Sequence, residues 1–216
     1  MQKEQYWMII DIFIASIIIF FVSIFLMESL SSFRKYFPVN LISILSTLIS
    51  FILGIFYLYL KYPIAVSHFG FDNNNIKSTI VWAIKGSFFL ILLNFPYKII
   101  LIEKKIPKDH LIESQQGVEF LFLFLFIAVI FIPFVEELFY RSFLFRLIKD
   151  RFGLVAGYLV STGFFALGHM FSIGSIINSL IFCYIYEKSG RIGSSIIAHT
   201  IVNFVWYVAV YGTLRQ

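Results

Sequence analysis

Long uninterrupted runs of apolar residues divide this chain, and each is long enough to cross a lipid bilayer. A transmembrane helix needs about 20 such residues, and the first run extends from Met8 to Met27. Comparable runs begin near Val39, Ile76 and Val118. The composition agrees, because 60% of the residues are hydrophobic and only 13% are charged, whereas soluble domains have about 25% charged residues. The excess apolar surface must face lipid, which excludes a soluble globular fold.

The spacing of these runs predicts an all-α, polytopic transmembrane helical bundle of about seven helices. The fourth run ends at the pair Glu136-Glu137, and we expect an amphipathic extension after it that closes at Gly153. The sixth helix is short for a full span, which favours a tilted or protein-buried segment. The predicted segments are 8–27, 39–60, 76–95, 118–135, 154–169, 175–187 and 192–210.

The basic charge and the cysteine content have ordinary explanations in a membrane protein. The formal net charge is +5, but Lys and Arg residues at helix ends anchor loops beside anionic headgroups. We therefore expect the lipid bilayer and no nucleic acid as a partner. Cys183 is the only cysteine and its apolar neighbours predict a small buried hydrophobe. The first run is longer than the apolar region of a signal peptide, about 7–15 residues, so we expect a retained span.

Ionisable side chains inside apolar runs are costly and need a reason. Asp11 and Lys85 lie near predicted helix ends, where pairing or snorkelling explains them. His68 and His110 lie in polar loops, where water solvates them. We interpret these four residues as structural.

The C-terminal half carries polar residues that such reasons do not explain. The string EELFYR holds Glu136, Glu137 and Arg141 at the end of the fourth run. Glu137 and Arg141 are four residues apart, so on a helix they share a face and can pair. Glu136 points about 100° away around the helix and is left to face another group.

Two further strings place polar residues on later helices. His169 ends the string FALGH, four residues after Phe165, and HTIVN holds His199 and Asn203, again four apart. Because these polar faces cannot face lipid, we expect them to converge inside the bundle. Polar contacts that only join helices contribute about 0.6 kcal/mol each, and a serine or asparagine would serve for that. The choice of two histidines and two carboxylates favours a reactive site.

These residue types suit the activation of water. A buried glutamate can act as a general base, and asparagine or histidine donors can stabilise an oxyanion. Two histidines and a glutamate also suit zinc, so the sequence leaves a zinc-assisted and a metal-free mechanism open. The strings GxSxG and HExxH are absent from the sequence, which weighs against a serine hydrolase and a soluble zinc protease.

The ordered trio EELFYR, FALGH and HTIVN resembles the three motifs of the CAAX-protease and bacteriocin-processing (CPBP, or Abi) family of intramembrane proteases. The resemblance implies a catalytic core over residues 118–211. The apolar runs and the charged stretch before this core predict N-terminal transmembrane helices and an interfacial loop over residues 1–117. It further implies an intramembrane endopeptidase, of metallo or glutamic type, in the cytoplasmic membrane of a microbe. Its substrate would be a membrane-associated peptide or protein, and we expect peptide maturation ahead of CAAX processing.

Carried over residue by residue, the resemblance implies that Glu136 is the general base. His169 would help to hold the water, and His199 and Asn203 would stabilise the oxyanion. If a metal is used, Glu136, His169 and His199 would be its ligands. The supporting residues would be Glu137, Arg141 and Phe165.

Two functions of other classes remain open on the sequence. One is a non-catalytic binding or immunity protein of the same fold, although such a protein is expected to lose site residues and none is missing here. The other is an ion or proton transporter with Glu136 and the histidines as a relay. The chain shows no pair of Gly- or Pro-broken helices with inverted symmetry, which weighs against a transporter.

Overall fold

A computed structural model describes residues 2–61, 76–103 and 118–214, and all the regular secondary structure in this part of the chain is helical. His68 and His110 lie outside the described residues. The described residues form seven long helices, as the sequence predicts. They are α1 (Gln2–Ser29, followed by a 3₁₀ turn, Leu30–Lys35), α2 (Val39–Lys61), α3 (Ile76–Glu103), α4 (118–152), α5 (Leu154–Gly168), α6 (Ile173–Ser189) and α7 (Ile192–Leu214).

Five of the described helices are long and apolar enough to span a membrane, namely α1, α2, α3, α4 and α7. Helix α5 is apolar but shorter, and α6 does not qualify. The molecule is therefore an all-α, multi-pass integral membrane protein, and the sixth helix is short for a span, as expected.

Two segments of π-helix interrupt α4, at Ile127–Phe131 and Leu138–Phe145. The first precedes Pro133, which has no N–H for an i→i−4 bond and whose ring would clash with the carbonyl of Val129. A wider turn accommodates both effects. The second segment begins directly after Glu137. Turns of this kind are frequent at functional sites.

The chain forms two compact units, of which the first contains residues 1–63, 101–135 and 203–216. In this unit α1 packs along α2. Gly54 allows the close approach, because a Cβ there would lie 2.6 Å from the side chain of Ile19. The buried carboxylate of Asp11 accepts hydrogen bonds from Tyr57 and Lys61, each at 2.6 Å. The pairing expected for Asp11 is thus present.

The second unit contains residues 64–100 and 136–202. Helices α5 and α6 pack against each other and against the second half of α4. Gly86 brings α3 against α6, because a Cβ there would overlap the side chain of Ile185. Within α3, Lys85 lies over the ring of Trp82, 5.3 Å from its centre.

One predicted helix boundary and the predicted character of one segment were wrong. The third helix does not end near Phe95 but continues to Glu103, since membrane helices tolerate a proline when neighbouring groups satisfy the freed carbonyl. The expected amphipathic extension after Glu137 is instead buried all round at first, with each residue of 139–145 buried. Its end is as predicted, because Gly153 adopts a φ of 88° and terminates α4.

Candidate active site

The second unit gathers a buried cluster of charged residues from α4 and α7. The Nδ1 atom of His199 lies 2.9 Å from Oε1 of Glu137. The Nη1 atom of Arg141 lies 3.1 Å from the same oxygen, at an angle outside hydrogen-bonding geometry, so this contact is an ion pair. The Glu137 and Arg141 side chains are fully buried. The helical pairing expected from their spacing is present.

The contact with Glu137 fixes which nitrogen of His199 carries a hydrogen. An ionised carboxylate can only accept a hydrogen bond, so Nδ1 must be the donor. The other ring nitrogen, Nε2, then faces Glu136, whose Oε2 lies 3.8 Å away. Both side chains are buried, with 7% and 8% exposed. Glu136 therefore faces a different group from Glu137, as its helical position predicts.

An aromatic box surrounds the guanidinium of Arg141. Its central carbon lies 4.7 Å from the ring centre of Phe165 and 5.1 Å from that of Phe182, with the ring of Tyr140 at 5.8 Å. Nη2 donates a hydrogen bond to Oγ of Ser179 at 3.2 Å. Ring faces attract a desolvated cation, so the box holds Arg141 in place beside Glu137.

The two histidines of the motifs contact different faces of this aromatic group. His169 stacks on Phe165, with ring centres 4.3 Å apart, and His199 stacks on Phe182 at 4.5 Å. The Nδ1 atom of His169 lies 2.9 Å from the carbonyl oxygen of Phe165. Since a carbonyl only accepts, Nδ1 is again the donor and Nε2 is the free ring nitrogen. Phe165 is buried and contacts both imidazoles, the second at 6.1 Å between ring centres.

Asn203 lies one turn beyond His199 on α7 and belongs to the first unit. Its side-chain Nδ2 donates a hydrogen bond of 3.3 Å to the carbonyl oxygen of Ala128, in the first π-helical segment of α4. The structure thus brings Glu136, Glu137, Arg141 and His199 together, places His169 against Phe165, and pairs Asn203 with a backbone carbonyl.

Sequence reasoning missed three residues that complete the cluster, namely Tyr140, Ser179 and Phe182. Ser175, Ser179 and Phe182 are all buried on α6, at the spacing of one helix face. Two serines on one face of an apolar helix are a signal that could have indicated this polar contact. The aromatic box could not have been recognised from the sequence in this way. Aromatic residues make up 20% of the whole chain, so those of the box do not stand out.

The donors expected for zinc do not form a ligand set in this arrangement. Within the part of the chain that the structure describes, no three His, Cys, Asp or Glu side chains are grouped so as to hold a metal ion. Each imidazole has Nδ1 against a protein acceptor and keeps Nε2, which is also the usual state of a metal-ligating histidine. It is therefore the separation of the side chains, and not the use of their nitrogens, that leaves the ligand set unformed.

A comparison with family models matches residues 118–205 to the type II CAAX prenyl endopeptidases of the Rce1-like family. The match includes each of the three motif strings and all the residues of the buried cluster. Residues 118–205 are thus similar to this family. It is a protease family that falls within the CPBP proteins, so the resemblance found in the motifs is confirmed. The matched segment is less than half of the chain, and no curated protein and no solved structure gives a significant match.

Proposed function

We propose that this chain is an intramembrane endopeptidase that hydrolyses a peptide bond of a membrane-associated substrate with a water molecule activated by Glu136. The observation that carries the proposal is the position of His199 between two carboxylates, 2.9 Å from Glu137 and 3.8 Å from Glu136. The match of residues 118–205 to a protease family supports the reaction type.

The spacing between Glu136 and His199 suits a water molecule. A separation of 3.8 Å is too long for a direct hydrogen bond, yet a water can lie about 2.8 Å from both atoms at once. With Nδ1 donating to Glu137, a neutral His199 presents the Nε2 lone pair, and Glu136 presents a carboxylate oxygen. Two acceptors on one water polarise its oxygen towards a nearby carbonyl carbon.

The proposed reaction then needs one proton carrier. Glu136 takes a proton from the water as the water oxygen bonds to the carbonyl carbon, and the carbonyl electron pair moves to the oxygen. When the intermediate collapses, the C=O bond reforms, the C–N bond breaks, and Glu136 returns the proton to the leaving nitrogen. The products are a new carboxyl terminus and a new amine, and Glu136 regains its starting state.

Glu137 and Arg141 support this chemistry without contacting the substrate. Glu137 fixes the orientation of His199. Arg141 balances the charge of Glu137, and both of these side chains are fully buried. Opposite charges attract strongly at low dielectric constant, so the pair holds Glu137 in position and leaves Glu136 to face the water. The aromatic box then restricts the movement of Arg141.

His169 and Asn203 are proposed to act on the water and on the oxyanion, respectively. The Nε2 atom of His169 is left available by the bond from Nδ1 to Phe165. The side-chain amide of Asn203 carries two hydrogens, of which one is donated to Ala128, so a second remains for an oxyanion.

The substrate class follows the matched family. Its name denotes CAAX prenyl endopeptidases, which moves our expectation from peptide maturation towards a CAAX-type substrate. We propose the cytoplasmic membrane of a microbial cell as the site of action.

Reporter cleavage in proteoliposomes tests the proposal. Three reporters are compared: a farnesylated CAAX peptide, the same peptide without the lipid, and an apolar membrane-spanning peptide, with products identified by mass spectrometry. We expect internal cleavage of at least one reporter by the wild type and none by His199→Ala. A folded wild-type protein that cleaves none of them would favour the binding or immunity function, and ion flux into the same vesicles would favour a transporter.

A further inference from the structure

Eight charged residues of the second unit, apart from those of the buried cluster, lie at one end of its helices. Lys149 near the end of α4 forms a 2.7 Å ion pair with Glu187 near the end of α6. The first turn of α7 lies against the start of α3, because a Cβ at Gly193 would lie 3.3 Å from Thr79. These ends carry six basic residues and two acidic residues, a net charge of +4. They are Lys77, Arg146, Lys149, Arg151, Lys188 and Arg191, with Asp150 and Glu187. We call this surface the basic end.

The opposite end of the α5–α6 pair has the reverse character. Residues 159–178 contain no Lys, Arg, Asp or Glu. The turn between the two helices exposes large apolar side chains, with Met170 94%, Phe171 59% and Ile173 69% exposed. Exposed apolar surface of this kind has a lower free energy in contact with hydrocarbon than in contact with water.

The two helices are too short to carry this turn across a bilayer. The Cα of Lys149 at the basic end lies 3.3 Å from a Cβ built on Gly157, and α5 ends at Gly168. Eleven residues of helix extend about 17 Å, whereas the hydrocarbon core is about 30 Å thick. The return along α6 from Ile173 to Glu187 is about 21 Å by the same rise.

The backbone of the turn is suited to an environment without water. Phe171 donates its N–H to the carbonyl of Ala166 at 2.7 Å, and Ser172 donates to that of His169 at 3.3 Å. Oγ of Ser172 accepts the N–H of Ser175 at the start of α6. Irregular backbone inside a membrane must have its polar groups satisfied by protein, and these bonds do so.

We infer that α5 and α6 form a re-entrant hairpin, which enters and leaves the membrane at the basic end and carries the turn at 168–173 within the hydrocarbon. The basic end binds the anionic headgroups of the cytoplasmic leaflet, where Lys and Arg residues of membrane proteins accumulate. The exposed Phe152, Leu154 and Val155 at the α4–α5 corner supply apolar contacts at the same interface.

The hairpin sets the depth of the proposed site. Glu137 lies twelve residues before Lys149 on α4, which is less than about 18 Å along the axis because residues 138–145 are π-helical and rise less per residue. His169 directly follows α5, twelve residues after Gly157. On the proposed peptidase function, which this consequence assumes, the scissile bond is presented near the middle of the bilayer. The hairpin itself does not depend on catalysis.

Depth and sidedness are measured on single cysteines introduced into the Cys183→Ala chain. The positions are Met170→Cys at the turn, Lys188→Cys at the basic end, and Ile84→Cys as the control, because Ile84 is exposed on the spanning helix α3. A membrane-impermeant maleimide labels thiols in intact and permeabilised cells. Spin labels at the same positions report collision with oxygen and with a water-soluble nickel chelate in vesicles.

The re-entrant hairpin predicts that Met170→Cys behaves like Ile84→Cys, with reaction at least about tenfold slower than Lys188→Cys, because the thiolate that reacts forms in water. Its spin label should collide with oxygen more than with the nickel chelate. Lys188→Cys should react only after permeabilisation. Rapid labelling of Met170→Cys from outside intact cells would show a complete crossing and overturn the inference. Rapid labelling of Lys188→Cys in intact cells would overturn the cytoplasmic assignment of the basic end.

Discussion

The Nδ1 atom of His199 and the Oε1 atom of Glu137 are joined by a buried contact of 2.9 Å, across 62 residues of sequence. This contact joins the last helix to the pair of glutamates on α4. It sets the hydrogen on Nδ1 and turns Nε2 towards Glu136. Substitutions at these positions therefore separate the effect of the orientation of His199 from the effect of the charge of Glu137.

Glu137→Gln should reduce turnover without a comparable effect on substrate binding. An amide can donate as well as accept, so the imidazole of His199 loses the partner that fixes its tautomer. Loss of such a carboxylate costs about 10²-fold or more in kcat in enzymes that orient a histidine in this way. Steady-state kinetics on a cleaved reporter measure kcat and KM of the variant and of the wild type. A rise in KM with unchanged kcat would contradict an orienting role.

Arg141→Met should destabilise the protein by about 3–5 kcal/mol, because it leaves the buried charge of Glu137 without its partner. The double variant Glu137→Gln/Arg141→Met removes both charges and should regain much of the thermal stability while remaining inactive. Thermal unfolding in detergent measures both variants.

The matched control for this pair is Lys149 with Glu187, an ion pair whose side chains are about one-third exposed. Lys149→Met should lower the free energy of unfolding by less than about 1 kcal/mol, because solvent screens the attraction that is lost. Equal losses for Lys149→Met and Arg141→Met would show that burial of the Arg141 pair is unimportant.

Phe182→Ala should lower both stability and activity. The ring is fully buried and lies against His199 and the guanidinium of Arg141, and truncation of a buried phenylalanine costs about 3–5 kcal/mol. Phe182→Leu keeps most of the volume and loses the ring face, so it should retain more stability than alanine while still losing activity. Wild-type turnover in the leucine variant would mean that the ring serves packing only.

Much of this site follows from the sequence, for identifiable physical reasons. The apolar runs set the number of helices, and four-residue spacing placed Glu137 beside Arg141. The contact of His199 with Glu137 depends on how distant helices pack, which helical periodicity does not specify. The π-helical segments of α4 change the residue repeat locally, and Pro133 gives only a partial signal for them. The continuation of α3 beyond Phe95 depends on tertiary surroundings that offset the preference of proline for a helix end.

Chelation separates the two mechanisms that the sequence left open. The mechanism proposed for Glu136 routes no step through a metal, so cleavage should continue after dialysis against EDTA or 1,10-phenanthroline. Metal analysis of the purified protein accompanies the assay. Activity that disappears on chelation and returns with zinc would instead establish a zinc-assisted reaction.

The central claim is that Glu136 activates water, and the kinetics of Glu136→Gln on a cleaved membrane reporter test it most directly. Glu28→Gln, which neutralises an exposed glutamate on α1, is the control, and thermal unfolding confirms that both variants are folded. We predict a loss of about 10²–10⁴-fold in kcat for Glu136→Gln and none for Glu28→Gln. Wild-type turnover in a folded Glu136→Gln protein would contradict the proposed mechanism.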